Sequence, residues 1–154
     1  ELHWWQTDDP VPRSLRMVRA HRGFARWVRV SPDGTLLATC GNDNMIRIWS
    51  AAAGEQVAEM AGHDRNPYAV DFHPDGKHLV SEDLMGNIRI WDLETGEELW
   101  TLQADQLAVR SVAVAPDGSP HAVSAGQNES IRVWNIESGA EEGSPGESAI
   151  WHGR

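Results

Sequence analysis

The sequence is poor in the residues that cross-link a chain or neutralise phosphate. Cys40 is the only cysteine in 154 residues, which excludes an internal disulfide framework and any zinc site built from cysteines. Only 13 residues are Lys or Arg against 23 that are Asp or Glu, a formal charge of -10. Because nucleic acids and anionic membranes are bound by basic surfaces, the sequence predicts neither of them as a partner.

Long apolar runs are also missing from the sequence. No run approaches the roughly 18 residues of a membrane-spanning helix, and Glu1 has no basic, apolar leader behind it. These features predict a soluble chain, for which the cytoplasm is slightly favoured as the compartment. A first residue other than Met is typical of a processed form or of part of a longer protein.

A unit of about 42 residues is present three times in the sequence. Its clearest marker, Ile88-Arg89-Ile90-Trp91, recurs at 46–49 and at 131–134, so that the three tryptophans lie 42 and 43 residues apart. The tripeptide Pro-Asp-Gly keeps the same step at 32–34, 74–76 and 116–118. A fixed period of this size predicts stacked copies of one supersecondary unit, with these tryptophans as packing anchors.

Each unit has the pattern of four short antiparallel strands. In the first unit Val28 and Val30 alternate with Arg29, which is the two-residue period of a half-buried strand. The tripeptide at 32–34 then predicts a hairpin turn, because Pro presets one torsion and Gly supplies a positive φ. The predicted divisions of the chain are a half-unit at 1–18, units at 19–60, 61–102 and 103–142, and a tail at 143–154.

The two ends of the array depart from this pattern. Leu2-His3-Trp4-Trp5 resembles the Ile-Arg-Ile-Trp strand, and we interpret residues 1–18 as an orphan third and fourth strand. After Gly139 the third unit is poor in β formers and rich in glycine and proline, which puts its fourth strand in doubt. Residues 149–151 are interpreted either as a displaced strand or as part of a frayed tail.

Units with this rhythm of His, Pro-Asp-Gly and Trp resemble the repeats of the WD-repeat β-propellers, and the resemblance covers residues 1–140. It implies an all-β fold, a β-propeller segment with three four-stranded antiparallel blades and an N-terminal half-blade. Only Trp91-Asp92 shows the Trp-Asp pair itself. Because propellers close with about four to eight blades, we expect a longer parent chain or a second copy in a homo-oligomer to complete the ring.

The resemblance also implies a buried hydrogen-bond chain of Trp, Ser or Thr, His and Asp in each blade. The positions that correspond to this structural network are His21, Thr39, Asp43, Trp49, His63, Ser81, Trp91, Ser124, Asn128 and Trp134. In the third blade Asp105 stands at the His position, and in the second blade Met85 stands at the Asp position. We expect His63 to lack an acceptor unless Asp83 reaches it, and blade two to be the looser, since an unpaired buried polar group costs about 1 to 3 kcal/mol.

In the same family, partner contacts often come from the start of the first strand and from the loop between the second and third strands. The candidate partner-binding residues at those places are Phe24, Arg26, Asn42, Asn66, Tyr68, Leu84, Arg110 and Gln127. Arginine and tyrosine are enriched at interface hot spots, although ordinary exposed side chains would give the same pattern. The pair Leu84-Met85 is predicted to be exposed on a hairpin.

No set of residues predicts a catalytic site. The Ser or Thr and His of each blade are interpreted as structural, because their pairing follows from the repeat. The seven histidines lack metal-ligand spacing, and although His73 and His78 flank a hairpin turn, neither a metal nor a cofactor is expected. Residues 128–130 fit the acceptor pattern for N-glycosylation, which matters only if the chain is exported.

The sequence therefore predicts a non-catalytic WD-repeat scaffold that mediates protein–protein interaction with partners that it does not identify. Two alternatives stay open at this point. One is a structural, non-interacting portion of a larger multidomain enzyme, and the other is a minimal propeller that assembles from copies of itself.

Overall fold

The computed structural model describes residues 1–7, 10–104, 108–127 and 131–143. Within these ranges the regular structure consists of fourteen β-strands. No helix in the described ranges combines the length and the apolar character that crossing a membrane requires. The all-β architecture predicted from the 42-residue period is therefore confirmed.

The strands follow one another in hairpin order along the chain. They are β1 (Leu2–Gln6), β2 (Arg13–Val18), β3 (Ala25–Val30), β4 (Leu36–Gly41), β5 (Met45–Ser50), β6 (Gln56–Ala61), β7 (Pro67–Phe72), β8 (His78–Asp83), β9 (Asn87–Asp92), β10 (Glu98–Gln103), β11 (Val109–Val114), β12 (His121–Gly126), β13 (Ile131–Asn135) and β14 (Ala140–Gly143).

These strands form three sheets of four strands and one sheet of two. Strands β3–β6 make blade 1, β7–β10 make blade 2, β11–β14 make blade 3, and β1 with β2 makes the half-blade. All neighbouring strands are antiparallel and consecutive in the chain. Short connections between sequential strands explain this order, because a tight hairpin joins antiparallel neighbours without a crossover.

The fourth strand of blade 3 is present, contrary to the doubt raised by its composition. Ala140–Gly143 pairs with β13, where Trp134 lies opposite Glu141, and all four residues of the strand are exposed. The strand forms because Gly139, with a φ of 68°, reverses the chain and because backbone pairing does not need apolar side chains at an outer edge. Residues 149–151 lie outside the described ranges.

The Pro-Asp-Gly turns join the first and second strands of each blade. Gly34 has a φ of 74°, a left-handed conformation that glycine adopts without steric cost. The carboxylate of Asp33 accepts the backbone N–H of Thr35 at 3.0 Å and the hydroxyl of Ser31 at 2.6 Å. The aspartate thus closes the turn through its side chain, which is the reason for this residue type at that place.

Two apolar cores fill the spaces between successive blades. One lies between blades 1 and 2 and includes Ile46, Ile48 and Trp91, and the other lies between blades 2 and 3 and includes Ile88 and Trp134. Because side chains alternate across a strand, blade 2 supplies residues from both of its faces. Blade 2 is therefore covered on both sides.

One face of blade 1 is much less covered than the same face of blades 2 and 3. Val28 is 49% exposed, whereas Val70 and Val112, which occupy its position in the next two blades, are 0% and 3% exposed. The neighbour on this side is the half-blade, which has two strands where a complete blade has four, and its Leu2 lines an open pocket together with Val28 and Thr39. An apolar surface around Val28 consequently faces solvent in the described chain.

The half-blade is attached at the outer part of blade 1. Trp4 donates its indole N–H to the carbonyl of Ala51 at 2.8 Å, and Arg16 donates to the carbonyl of Ala53 at 2.7 Å. Both carbonyls belong to the turn between β5 and β6. The half-blade therefore contacts its neighbour through polar side chains at one turn, where the complete blades contact each other through an apolar core.

Candidate functional site

A continuous hydrogen-bond chain crosses blade 1 from its third strand to the segment before its first. Trp49 donates its indole N–H to the hydroxyl of Thr39 at 2.9 Å, and that hydroxyl lies 2.9 Å from Nε2 of His21. Nδ1 of His21 lies 2.7 Å from the carboxylate of Asp43. The structure thus brings together all four residues that the sequence assigns to the first blade's network.

The second blade contains the same chain, but its acid is Asp83. Trp91 donates to the hydroxyl of Ser81 at 2.8 Å, which lies 2.6 Å from Nε2 of His63. Nδ1 of His63 lies 2.9 Å from the carboxylate of Asp83, whose side chain is fully buried. The exception that the sequence left open is therefore the observed case: Asp83 reaches His63 and supplies the acceptor that Met85 cannot.

Asp83 reaches His63 because it sits at the end of β8 and not in the turn itself. Its carboxylate also accepts the backbone N–H groups of Met85 at 2.8 Å and Asn87 at 3.1 Å, so one side chain serves the histidine and closes the turn. The basis for expecting a looser second blade disappears with this contact. Met85, at the place of the missing acid, is exposed on the hairpin beside half-buried Leu84.

Only part of the third blade's network lies in the described ranges. Trp134 donates its indole N–H to the hydroxyl of Ser124 at 2.9 Å, as in the other two blades. The remaining positions, Asp105 and Asn128, lie outside the described residues, and so does the glycosylation pattern at 128–130. Their roles stay predictions.

Burial sets the protonation of these networks. It lowers the pKa of His21 and of His63, and the facing carboxylates of Asp43 and Asp83 offset this only in part. Hydrogen bonds from His63 and Asn87 outweigh burial at Asp83 and lower its pKa. At neutral pH both imidazoles are therefore neutral beside ionised carboxylates, with Nδ1–H donated to the acid and Nε2 accepting the hydroxyl proton.

The Ser81–His63–Asp83 arrangement has the order of a nucleophile, base and acid, but its hydroxyl is not available to a substrate. Ser81 is completely buried, and its oxygen already accepts the indole N–H of Trp91. A nucleophile must be reachable and must lie beside groups that bind a reacting carbonyl or phosphoryl oxygen. The arrangement therefore ties β8 and β9 to the segment before β7 and offers no site for a reaction.

Four of the candidate partner-binding residues form a cluster where blades 1 and 2 meet. The guanidinium of Arg26 lies over the ring of Tyr68, 4.9 Å from its centroid, and 5.9 Å from the ring centroid of Phe24. Nε of Arg26 donates to the side-chain carbonyl of Asn42 at 2.5 Å. We name Phe24, Arg26, Asn42 and Tyr68 the arginine cluster; Phe24 is its most exposed member, at 73%.

Arg110 and Gln127 form a second pair on blade 3. Nε of Arg110 lies 3.0 Å from the side-chain amide of Gln127 and donates to it when the amide oxygen is turned towards the guanidinium, and both residues are exposed. Asn66 and Leu84 are half-buried in blade 2. Arg26, Tyr68 and Arg110 occupy the same position in three successive first strands, which is why the arginine cluster and this pair lie at corresponding places in neighbouring blades.

Glu82 is a polar residue that sequence reasoning missed. It is fully buried on β8, and neither carboxylate oxygen makes a hydrogen bond of normal geometry. Burial and the adjacent carboxylate of Asp83 raise its pKa to about 9. The sequence does distinguish this position. Blades 1 and 3 have Cys40 and Ala125 there, whereas blade 2 has an acid.

The fold and the networks define the class of this protein as a segment of a β-propeller. The family model described as "WD domain, G-beta repeat" matches residues 12–50, 54–92 and 96–135, and the chain belongs to this WD-repeat family. Each matched repeat begins with the last strand of one sheet and ends with the third strand of the next. The repeat at 54–92, for example, contains β6 of blade 1 and β7–β9 of blade 2.

Relatives of the chain are longer WD-repeat proteins. Transcription initiation factor TFIID subunit 5 of Caenorhabditis elegans is 31% identical over 134 residues, which are 86% of this chain and 20% of the relative. Meiotic recombination protein rec14 of Schizosaccharomyces pombe is 37% identical over 139 residues, which are 90% of this chain and 46% of the relative. The chain thus spans less than half the length of these two relatives.

Solved structures agree on the fold. The structure titled "Crystal structure of RRP9 WD40 repeats" superimposes with a TM-score of 0.79 at 25% sequence identity, covering 84% of this chain and 40% of that one. The structure titled "Structure of U3-55K" gives a TM-score of 0.79 at 24% identity, covering 84% and 41%. The second likeness is evidence for the fold alone.

Proposed function

We propose that the chain is a non-catalytic WD-repeat scaffold module whose arginine cluster, together with Asn66, Leu84, Arg110 and Gln127, binds a protein partner. The contact between Arg26 and Tyr68 carries this proposal. It joins two blades through residue types that are enriched at binding hot spots, beside an exposed Phe24. The TFIID relative is named as a subunit, which agrees with a role in an assembly.

The cluster is suited to binding because its central side chain is already held in place. Arg26 is fixed by Asn42 on one side and stacks on Tyr68 on the other, so little side-chain freedom remains to be lost when a partner docks. A guanidinium has five N–H donors, and those that remain free suit a carboxylate or a backbone carbonyl of the partner.

Paired arginine variants test this proposal. Arg26→Ala with Tyr68→Ala removes the centre of the cluster, whereas Arg132→Ala removes a half-buried arginine of β13 that pairs with Glu141 of β14, away from the cluster. Proteins captured by the unchanged chain are identified, purified and measured by calorimetry. We expect the cluster variant to weaken binding at least tenfold and Arg132→Ala to leave it unchanged. Equal affinities in all three proteins would overturn the assignment of this surface.

We further propose that the exposed face of β3 is covered by an adjoining four-stranded blade of a longer parent chain. At the same register Val70 and Val112 are buried by a neighbouring blade, and the chain spans only part of its relatives' length. In solution, a chain extended by the parent's preceding residues should be monomeric, and Val28→Ala should destabilise it as much as Val70→Ala does. A stable dimer of the present chain in which the two variants cost equally much would instead favour a second copy as the cover.

A further inference from the structure

A group of potential metal ligands lies at the hairpin between β7 and β8. His73, Asp75 and His78 each offer one ligand atom, and these atoms all lie within 4.8 Å of one another. In the part of the chain that the structure describes, no other three His, Cys, Asp or Glu residues come together in this way. The group is separate from the arginine cluster and from the buried networks of the blades.

The carboxylate of Asp75 is oriented by the backbone of its own turn. Its Oδ1 accepts the N–H groups of Lys77 at 2.8 Å and of His78 at 3.1 Å. This leaves Oδ2 directed at the two rings, 3.1 Å from Nδ1 of His73 and 2.6 Å from Nδ1 of His78. One carboxylate oxygen therefore faces two imidazole nitrogens within hydrogen-bond distance.

The ring of His73 is held in the tautomer that a metal ligand needs. Its Nε2 donates to the backbone carbonyl of Ser119 in blade 3 at 2.9 Å, and the residue is only 2% exposed. In a neutral imidazole the proton on Nε2 leaves a lone pair on Nδ1, which accepts the backbone N–H of Asp75 at 3.3 Å and lies 3.1 Å from Oδ2 of the same residue. Metal-binding histidines commonly donate their other ring N–H to a carbonyl in this manner.

The turn itself does not require the two histidines. Blade 1 builds the same turn with Ser31, Asp33 and Leu36 at the corresponding positions, and the hydroxyl of Ser31 there takes the place next to the acid. The corresponding first position of blade 3 is Ala115. Both histidines of blade 2 make hydrogen bonds within their turn, but the turns of blades 1 and 3 close without two imidazoles around one carboxylate.

We propose that Nδ1 of His73, Oδ2 of Asp75 and Nδ1 of His78 bind a divalent transition-metal ion of the Zn²⁺ class. Two imidazoles and a carboxylate suit Zn²⁺, with water as the fourth ligand of a tetrahedral site. Bonds of about 2.0–2.2 Å place ligand atoms about 3.3 Å apart. The contact between His73 and Asp75 is near that separation, and the shorter one at His78 lengthens as its Nδ1 proton is released to solvent.

An ion at this place would fasten the hairpin between β7 and β8 of blade 2 to blade 3. His73 already contacts the carbonyl of Ser119, and coordination at Nδ1 would strengthen that contact by fixing the ring from its other side. We therefore expect the ion to be structural, and we expect Zn²⁺ to stabilise the folded chain by mass action.

The test uses variants that copy the turn of blade 1. His78→Leu installs the residue found at position 36, and Asp75→Asn keeps the shape of the turn residue while removing its charge. His121→Leu is the matched control, since His121 also begins the second strand of its blade, as His78 does. Zn²⁺ is titrated into each protein by calorimetry, and thermal midpoints are measured with Zn²⁺ and with Mg²⁺.

We expect the unchanged chain and His121→Leu to bind one equivalent of Zn²⁺ and to be stabilised by Zn²⁺ and not by Mg²⁺. His78→Leu and Asp75→Asn should lose at least tenfold in affinity and show no Zn²⁺-dependent shift of the thermal midpoint. Binding that His78→Leu leaves intact, binding that His121→Leu abolishes, or the absence of saturable binding at submillimolar Zn²⁺ would each overturn the proposal. The thermal midpoint of His78→Leu, measured without metal, serves as the check that this variant folds.

Discussion

Blades 1 and 2 share one strand pattern and one hydrogen-bond network, but they differ in how far that pattern is buried. Val28 is half exposed where Val70 is fully buried, and Asp43 keeps some contact with solvent where Asp83 has none. The difference arises outside the two sheets, because blade 2 has a complete blade on each side. In a stacked array the stability of a unit therefore depends on its neighbours as much as on its own residues.

The networks should show the largest difference between the two blades. We expect Asp83→Ala to lower the free energy of unfolding by about 3–5 kcal/mol, because it leaves the N–H of a buried imidazole and two backbone N–H groups of the turn without an acceptor, at about 1–3 kcal/mol each. Asp43→Ala should cost about 1–2 kcal/mol, since its position is partly solvated and Arg47 keeps its contact with Glu59. Urea unfolding of both variants measures the difference.

Equal losses in these two variants would contradict the comparison, because they would show that cover by a neighbouring blade does not set the strength of the network. The variant Asp83→Asn serves as a control, since it keeps the shape of the side chain and two of its acceptor contacts. We expect its loss to lie between those of the two alanine variants.

The buried acid of blade 2 should give this blade a pH dependence that blade 1 lacks. The pKa of Glu82 is about 9 in the folded chain and about 4.5 in the unfolded one, so the folded state holds an extra proton between these values. Stability therefore falls as pH rises through this window, by up to about 1.4 kcal/mol per pH unit. Between pH 7 and 8.5 we expect a loss of about 2 kcal/mol.

Glu82→Gln should abolish most of this loss, because an amide does not titrate. Urea unfolding at several pH values between 7 and 8.5 measures it, and Cys40→Ala serves as a control at the corresponding position of blade 1. The pH range from 7 to 8.5 lies above the range in which the buried histidines change the stability. Their lowered pKa values give the opposite sign, with stability lost as pH falls below about 6.5. Parallel curves for the unchanged chain and Glu82→Gln would contradict the assignment.

Val28 and Val70, which occupy equivalent positions, allow a test with a smaller expected effect that involves apolar contacts alone. Val70→Ala leaves a cavity in the core between blades 1 and 2, and we expect it to cost about 2 kcal/mol. Val28→Ala removes the same atoms from a half-exposed position and should cost less than about 0.5 kcal/mol. If a further blade of the parent chain covers β3, the two losses should become similar in the extended protein.

The smallest effect is expected at an ion pair that crosses between blades. Nε of Arg29 lies 3.1 Å from Oδ1 of Asp71, whose Oδ2 accepts the backbone N–H of Val114 in blade 3. Because Arg29 is largely exposed, Arg29→Ala should cost less than about 1 kcal/mol, and less still at high salt. Thermal unfolding at low and high salt checks this, and a loss that salt does not change would indicate that the pair acts through packing.

The strands and most of the networks could be predicted because they repeat. Trp49, Trp91 and Trp134 keep a fixed offset from the Ser or Thr that each of them binds, so the period alone identifies the partners. Asp83 could not be placed by the same alignment, since its carboxylate reaches the histidine from a position two residues before that of Asp43. The direction of the Asp83 side chain decides this contact, and that direction cannot be read from the repeat spacing.

Contacts between blades were the other limit of prediction. The stacking of Arg26 on Tyr68 and the contact of His73 with Ser119 depend on how neighbouring sheets are rotated, which no pattern within one repeat encodes. The burial of Glu82 is a similar case. Comparison with Cys40 and Ala125 marks Glu82 as different in the sequence. Only the packing of β11 against β8 explains why its side chain is not exposed to solvent.

The offset between the family repeats and the sheets has a consequence for how such a chain can change in length. Deleting residues 54–92 would remove β6 together with β7–β9, and would leave β5 followed directly by β10. The sheet of blade 1, which loses β6, would thereby gain β10 of blade 2 as its outer strand. Arrays built in this way can lose or duplicate a genetic unit and still end each interior sheet with a full complement of strands.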